Sequence, residues 1–130
     1  MQKTYLNWIP IKVQRNNGTE HPEQYHESEI YWCYLGENIG SEQDGSAPLY
    51  TRPALIVKGF SKTLVWCIPI SSKKEKSKYT MPVKNRYVDG ILLLSQIRAI
   101  DTLRLGDYCG TINNSTLHSV KRAIARIIQI

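Results

Sequence analysis

Three cysteines and three histidines are all that this 130-residue chain offers as soft metal ligands. Cys33, Cys67 and Cys109 are odd in number and stand apart, with no CxxC pair of the kind a zinc site needs. His21, His26 and His118 are equally scattered. No metal site and no cofactor is expected. Cys33 and Cys67 lie in apolar runs, where a free thiol behaves as a small core residue. Long apolar stretches are missing too: no run approaches the roughly 20 residues that span a bilayer. The opening segment MQKTYLNWIPIKVQ has no apolar stretch of signal-peptide length. A cytoplasmic protein without membrane association is therefore expected. At this length two separate cores are excluded, and 42% hydrophobic against 22% charged residues is the balance of one ordinary globular domain. Internal repeats and low-complexity tracts are absent from the sequence.

Acidic residues are scarce in one part of the chain only. Residues 1–50 carry three Lys and Arg against seven Asp and Glu, whereas residues 51–130 carry fourteen against four. A basic portion of this size predicts attraction to a polyanion, either nucleic acid or an acidic protein segment. Basic residues also merely solubilise surfaces, and charge does not choose between these readings.

Hydrophobic patterning points to strands. Residues 1–14 hold an apolar patch broken by Pro10, which argues against the middle of a helix or a central strand. Residues 15–28 are polar and turn-rich, the reading of a linker. They place the start of the compact fold near Glu29, with 1–28 as an N-terminal extension and 29–130 as the domain. EIYWCYL (29–35) is rich in strand formers. Residues 36–51, with three glycines and a proline, read as a long exposed loop of the kind that is usually functional or mobile. PALIVKGF and KTLVWCIPIS form a hairpin around Gly59–Ser61. SSKKEKSK is a basic loop, YTMPVKN a shorter strand and GILLLSQIRAI another strand. The period then changes: Leu117, Val120, Ile124 and Ile127 fall at spacings of three and four, one face of a helix. Asn113 or Asn114 can cap its start. Short strands followed by one terminal helix give a mainly β fold, a small antiparallel barrel with a docked helix.

Three stretches, in order, carry a family resemblance. Leu35–Gln43 (LGENIGSEQ) leads to Arg52–Val57 (RPALIV); Ile68–Ser72 reads IPISS; Leu94–Asp101 (LSQIRAID) precedes Arg104-Leu105. Together they resemble the MazF/PemK toxins, with their LGxxxGSEQ loop, RPALVV strand, PLTS strand end and LxQIRTxDxxRL segment. The likeness spans about residues 29–128. It implies an SH3-like barrel with a C-terminal helix, assembled as a homodimer. It also implies a sequence-specific endoribonuclease that cuts single-stranded RNA and is restrained by a cognate antitoxin. This chain departs from the common pattern in a longer loop between Gln43 and Arg52, in Ser71 where threonine is usual, and in the residues that precede position 29.

The resemblance also implies site residues. Metal-free cleavage uses the substrate's own 2′-OH as nucleophile, giving a 2′,3′-cyclic phosphate and a 5′-OH. The protein must then orient the hydroxyl and stabilise charge on the phosphate. Arg52 matches the catalytic arginine: its guanidinium is always charged and grips two phosphate oxygens at once. It suits charge stabilisation more than base catalysis. Ser71 matches the second catalytic position, a hydroxyl that donates to a non-bridging oxygen, although a strand-end serine also satisfies backbone groups. Ser41, Glu42, Gln43 and Gln96 match base-reading and loop-ordering positions, since carboxylate and amide groups suit base edges. Equally, such a loop is held by its own side-chain bonds. Lys73, Lys74 and Lys76 follow Ser71 and are placed to embrace the RNA backbone, or else form a solvated loop. Trp66 in VWCIPI reads as core, and Arg98, Asp101 and Arg104 as structural. The expected antitoxin carries an acidic, partly disordered segment that folds along the basic groove.

Two other readings stay open. One is an inactive RNA- or antitoxin-binding barrel of the same family. The other is a gyrase poison of the CcdB branch, which acts through a terminal Trp-Gly-Ile, whereas this chain ends Ile128-Gln129-Ile130.

Overall fold

The computed structural model describes residues 3–18, 24–73 and 75–129. Its elements are helix α1 (Tyr5–Asn16) and strands β1 (Glu29–Tyr34), β2 (Thr51–Gly59), β3 (Leu64–Ser71), β4 (Thr80–Lys84) and β5 (Asp89–Leu93). A 3-10 turn, Leu94–Gln96, then leads to β6 (Arg98–Asp101); a second, Thr102–Arg104, leads to β7 (Leu105–Thr111) and helix α2 (Asn114–Ile128).

Every strand pairing is antiparallel, in the order β4-β5-β3-β2-β1-β7, with β6 also on β3. β3 turns the corner. Its first half, Leu64–Cys67, pairs with β6, while its last residues, Ile70 and Ser71, pair with β5. One strand thus belongs to two differently directed layers, which bends the sheet into the expected barrel-like form. The ladder does not close. Instead Asn85, in the turn after β4, donates from Nδ2 to the carbonyls of Cys109 and Thr111 on β7, each at 3.3 Å. Gly110 makes room for it: at φ +89°, a Cβ there would sit 2.6 Å from Asn85 Nδ2.

Alternation along β2 sends its side chains into two cores. Leu55 and Val57 join Ile30, Ile68, Ile70, Leu92 and α2 residues Leu117 and Val120. Ala54 and Ile56 join Cys33, Leu35, Val65, Cys67, Ile100 and Leu105. Each fully buried Ile or Leu contributes about 1.5–3 kcal/mol relative to exposure. The terminal helix follows its periodicity, capped by Asn113 Oδ1, which accepts from Thr116 N at 2.7 Å. Ile127, at its far end, is left outside the core.

Four expectations are corrected. First, the Pro10 segment is helical. Pro10 removes an intrahelical donor to Leu6, but Leu6 stays 83% exposed, so water can take that carbonyl. Second, the packed body reaches back beyond Glu29. Trp8 is buried, Tyr25 packs against the Cys33 core, Ser28 N donates to Ile56 O at 2.9 Å, and Ile112 N donates to Ser28 O. Residues 19–23 of the supposed linker lie outside the described residues. Third, the GILLLSQIRAI run is two strands, because the turn at Leu94–Gln96 redirects the chain from the Ile70–Ser71 end of β3, beside β4, to its Leu64–Cys67 half. Fourth, Trp66 is 43% exposed and meets Phe60 edge-on at 5.1 Å, outside the core.

Candidate active site

Sheet register brings Arg52 and Ser71 together. The β2–β3 ladder runs to Ala54 opposite Pro69, and beyond it Arg52 Nη1 reaches the carbonyl of Ile70, the residue before Ser71, at 3.5 Å. Ser71 in turn pairs with Ile91 on β5, Ile91 with Pro82 on β4, and Arg52 with Cys33 on β1. One row of residues therefore runs from Ser71 through Ile91 to Pro82, and the guanidinium meets its end at the Ile70 carbonyl.

Local bonds hold both groups. Arg52 is half-buried; its Nε donates to Asp44 O at 2.9 Å and its Nη1 to Ile70 O at 3.5 Å. Burial draws the Arg52 pKa down from its ordinary value, and the Asp44 carboxylate opposes that shift. A guanidinium remains charged throughout. The two carbonyl contacts orient its plane while its other N–H donors can address a phosphate. Ser71 Oγ accepts from Lys73 N at 3.2 Å, a bond that uses an oxygen lone pair and leaves the hydroxyl proton to donate.

The loop after β1 is built rather than slack. Asn38 Nδ2 donates to the carbonyls of Leu35 and Gln43, at 3.0 and 2.9 Å, and Glu42 Oε1 accepts from Ile39 N at 2.9 Å. Gln96 ties it to the sheet: Nε2 donates to Ser41 O at 3.0 Å, and Oε1 accepts from Gln43 N at 3.1 Å. Glu42, Gln43 and Gln96 thus line one recess of about 310 Å³, together with Asn38, Ser95, Ile97 and Arg98. Ser41 reaches that place through its backbone only. Lys73 is exposed at the other side of Ser71. Lys76 follows farther on, over the outer face of β4 and β5. Lys74 lies outside the described residues. Trp66 stands five residues from Ser71 on β3 and so on the opposite face, away from this row.

Two participants escaped the sequence reading. Arg98, read as structural, lines the recess beside Gln96; its place two residues beyond Gln96 was the available hint. Asp44 supplies the carbonyl that orients Arg52, and no periodicity announces a backbone contact across eight residues. Asp101 and Arg104 do tie the chain: Asp101 Oδ1 accepts from Leu103 N at 2.8 Å, and Arg104 Nη1 donates to Tyr34 O at 2.9 Å.

Comparison with known proteins shows the family and the fold. Residues 26–128 match the sequence model described as PemK-like, MazF-like toxin of type II toxin-antitoxin system. The chain is 30% identical to endoribonuclease EndoA of Bacillus subtilis (strain 168) over 102 residues, 74% of this chain and 87% of that one. Its fold is similar to MazF (Form-I) from Deinococcus radiodurans, with a TM-score of 0.66 at 19% identity, over 85% of this chain and 99% of that one. An endoribonuclease in complex with its cognate antitoxin from Mycobacterial species gives 0.61 at 16% identity, over 82% and 97%. At these identities the solved structures speak for the fold alone.

Proposed function

Since the chain belongs to the PemK-like, MazF-like toxin family of type II toxin-antitoxin systems, we propose that it cuts single-stranded RNA at Arg52 and Ser71 without a metal ion. The ribose 2′-oxygen gives its proton to water and attacks the adjacent phosphorus in line; the bond to the 5′-oxygen breaks and that oxygen takes a proton from water, which gives a 2′,3′-cyclic phosphate and a 5′-OH. Arg52 stabilises the charge that grows on the non-bridging oxygens, a contribution strengthened by its partial burial. Ser71 donates a hydrogen bond to one of the same oxygens. The recess at Glu42, Gln43 and Gln96, with Ser41 at its rim, receives a base, and Lys73, Lys74 and Lys76 track the backbone beyond the cut. One observation supports this reading: the Arg52 guanidinium, oriented by two carbonyls, reaches the peptide that precedes Ser71, whose hydroxyl keeps its proton free to donate.

The partner follows from charge. The strongly basic residues 51–130 suit an acidic antitoxin segment laid along the same face. The toxin works as a cytoplasmic homodimer. With an RNA oligonucleotide, cleavage should persist in chelator, stop when the ribose at the cut is 2′-deoxy, and fall about 100-fold or more in Arg52→Ala. Continued cutting of the deoxy substrate overturns attack by the 2′-oxygen. Tight RNA binding with no cutting by the wild type marks an inactive barrel of the same family instead.

A further inference from the structure

The start of the described chain and α1 close on one loop, residues 36–50. Lys3 Nζ forms an ion pair with Asp44 Oδ2, and both side chains are largely covered, 16% and 22% exposed. Thr4 Oγ1 hydrogen-bonds Glu37 Oε1 and the Tyr50 hydroxyl, each at 2.7 Å, and Tyr5 OH donates to Asn38 O at 3.0 Å. Trp8 sits beneath Gly36, whose missing Cβ would lie 2.3 Å from the indole, and meets Tyr50 edge-on at 5.8 Å.

These contacts converge on one peptide plane. The carbonyl of Asp44 accepts from Arg52 Nε at 2.9 Å, and the N–H of the same peptide unit, on Gly45, donates to Gly36 O at 2.9 Å. Asp44 fixes that plane from one side through both carboxylate oxygens: Oδ2 takes Lys3, and Oδ1 accepts from Asn38 N at 2.6 Å. Gly36, resting on Trp8, fixes it from the other. Residues 3–8 therefore grip two supports of the carbonyl that aims the guanidinium; that carbonyl also accepts from Gln43 Nε2 at 3.1 Å.

We propose that residues 3–8 position the active site, and that Lys3 acts on Arg52 through Asp44. Without the ion pair the Asp44 carboxylate is held at one oxygen, its peptide plane gains freedom to rotate, and Arg52 no longer keeps one orientation toward the phosphate. The hydrogen bond to Asp44 raises the Lys3 pKa, so the cation persists through the pH range in which RNA is studied. The kinetic part of this inference rests on the proposed RNA cleavage; the geometric part does not.

The experiment compares Lys3→Met, Lys3→Arg and Lys12→Met, the last an exposed lysine on α1 outside the clamp. Single-turnover cleavage of an RNA oligonucleotide should fall about ten- to a hundredfold in Lys3→Met, the scale of a small displacement at a reacting centre. KM should change less than twofold and the melting temperature little. Lys3→Arg should recover most of the rate, and Lys12→Met should match the wild type. In an Arg52→Ala background, Lys3→Met should add no further loss. An undiminished rate in Lys3→Met, or a loss borne by KM alone, overturns the proposal. Nuclear magnetic resonance of the Arg52 Nε–H, without RNA, decides independently: the signal should be protected from exchange in the wild type and lose protection in Lys3→Met. If the wild type cuts no RNA, the proposed function fails while this measurement still tests the positioning; an Nε–H unchanged by Lys3→Met refutes it.

Discussion

Gln96 holds Gln43 from across the sheet: its Oε1 accepts the Gln43 N–H at 3.1 Å, while its Nε2 gives a proton to Ser41 O at 3.0 Å. The side chain has both a donor and an acceptor engaged with one loop, so it fixes that loop's height above the recess. Gln96→Ala removes both tethers and leaves two backbone groups to water, a loss of about 1 kcal/mol in unfolding free energy. Gln96→Glu keeps the bond from Gln43 N and loses only the one to Ser41 O. Mapping of RNA 5′ ends should show a broader set of cut sites for Gln96→Ala, with Gln96→Glu intermediate. An unchanged cut pattern in both variants would show that the loop's height does not govern base choice.

Much of this architecture was legible. Strand formers at 29–35 and 53–71, the three-and-four spacing after Asn113 and the long glycine-bearing loop all signal themselves through local chemistry. What could not be read depends on contacts between distant residues. Pro10 argues against a helix only until the helix is seen to have a partner: Trp8 fits the hollow left by Gly36, and that burial outweighs one lost backbone bond. The break at Leu94–Gln96 is hidden because the apolar run of β5, Ile91–Leu93, continues into it at Leu94. Trp66 lies in an apolar run yet stays exposed against Phe60 near the start of β3. At the site, Arg52 and Ser71 came from motif likeness, whereas Asp44 acts through a carbonyl, which every residue owns.

The thiols yield a prediction about reactivity. Burial drives the Cys33 thiol well above its ordinary pKa, pushes Cys67 up to about 12 and raises Cys109. All three are buried and free. Because the thiolate is the reacting form, an aromatic disulfide reagent at pH 8 should label none of them in the native protein and all three in denaturant. A rapid native phase of even one equivalent would contradict the burial of Cys109 or the packing of the Cys33–Cys67 core.

Acid should weaken the protein through Glu27. Burial pushes this carboxyl up, but hydrogen bonds from Lys121, at 2.8 Å, and Gly59 N, at 3.1 Å, outweigh it, and the net pKa falls below the ordinary 4.5. A carboxylate with a lowered folded pKa stabilises the protein above its unfolded value, and the gain disappears as pH drops through the folded value. Both partners are about one-third exposed, so screening keeps the contribution under about 1 kcal/mol. Urea melts of Glu27→Gln should therefore show a small deficit at pH 7 that closes at a pH below the ordinary carboxylate range. A deficit of equal size at both pH values would assign the effect to something other than this carboxylate's charge.

The contact between α1 and the loop can be weighed by a pair of substitutions. Gly36→Ala faces two obstacles: a backbone at φ +82°, and a Cβ placed 2.3 Å from the Trp8 indole. The first costs roughly 1–3 kcal/mol for a residue with a side chain, and the second roughly as much again through overpacking. Trp8→Ala alone should cost about 3–5 kcal/mol, as for other buried tryptophans. With the indole gone the second obstacle vanishes, so Gly36→Ala should cost less in the Trp8→Ala background than in the wild type. Chemical denaturation of the four proteins measures that coupling. Strict additivity would mean that Trp8 does not rest against Gly36, and α1 would then lose its main hold on the loop that aims Arg52.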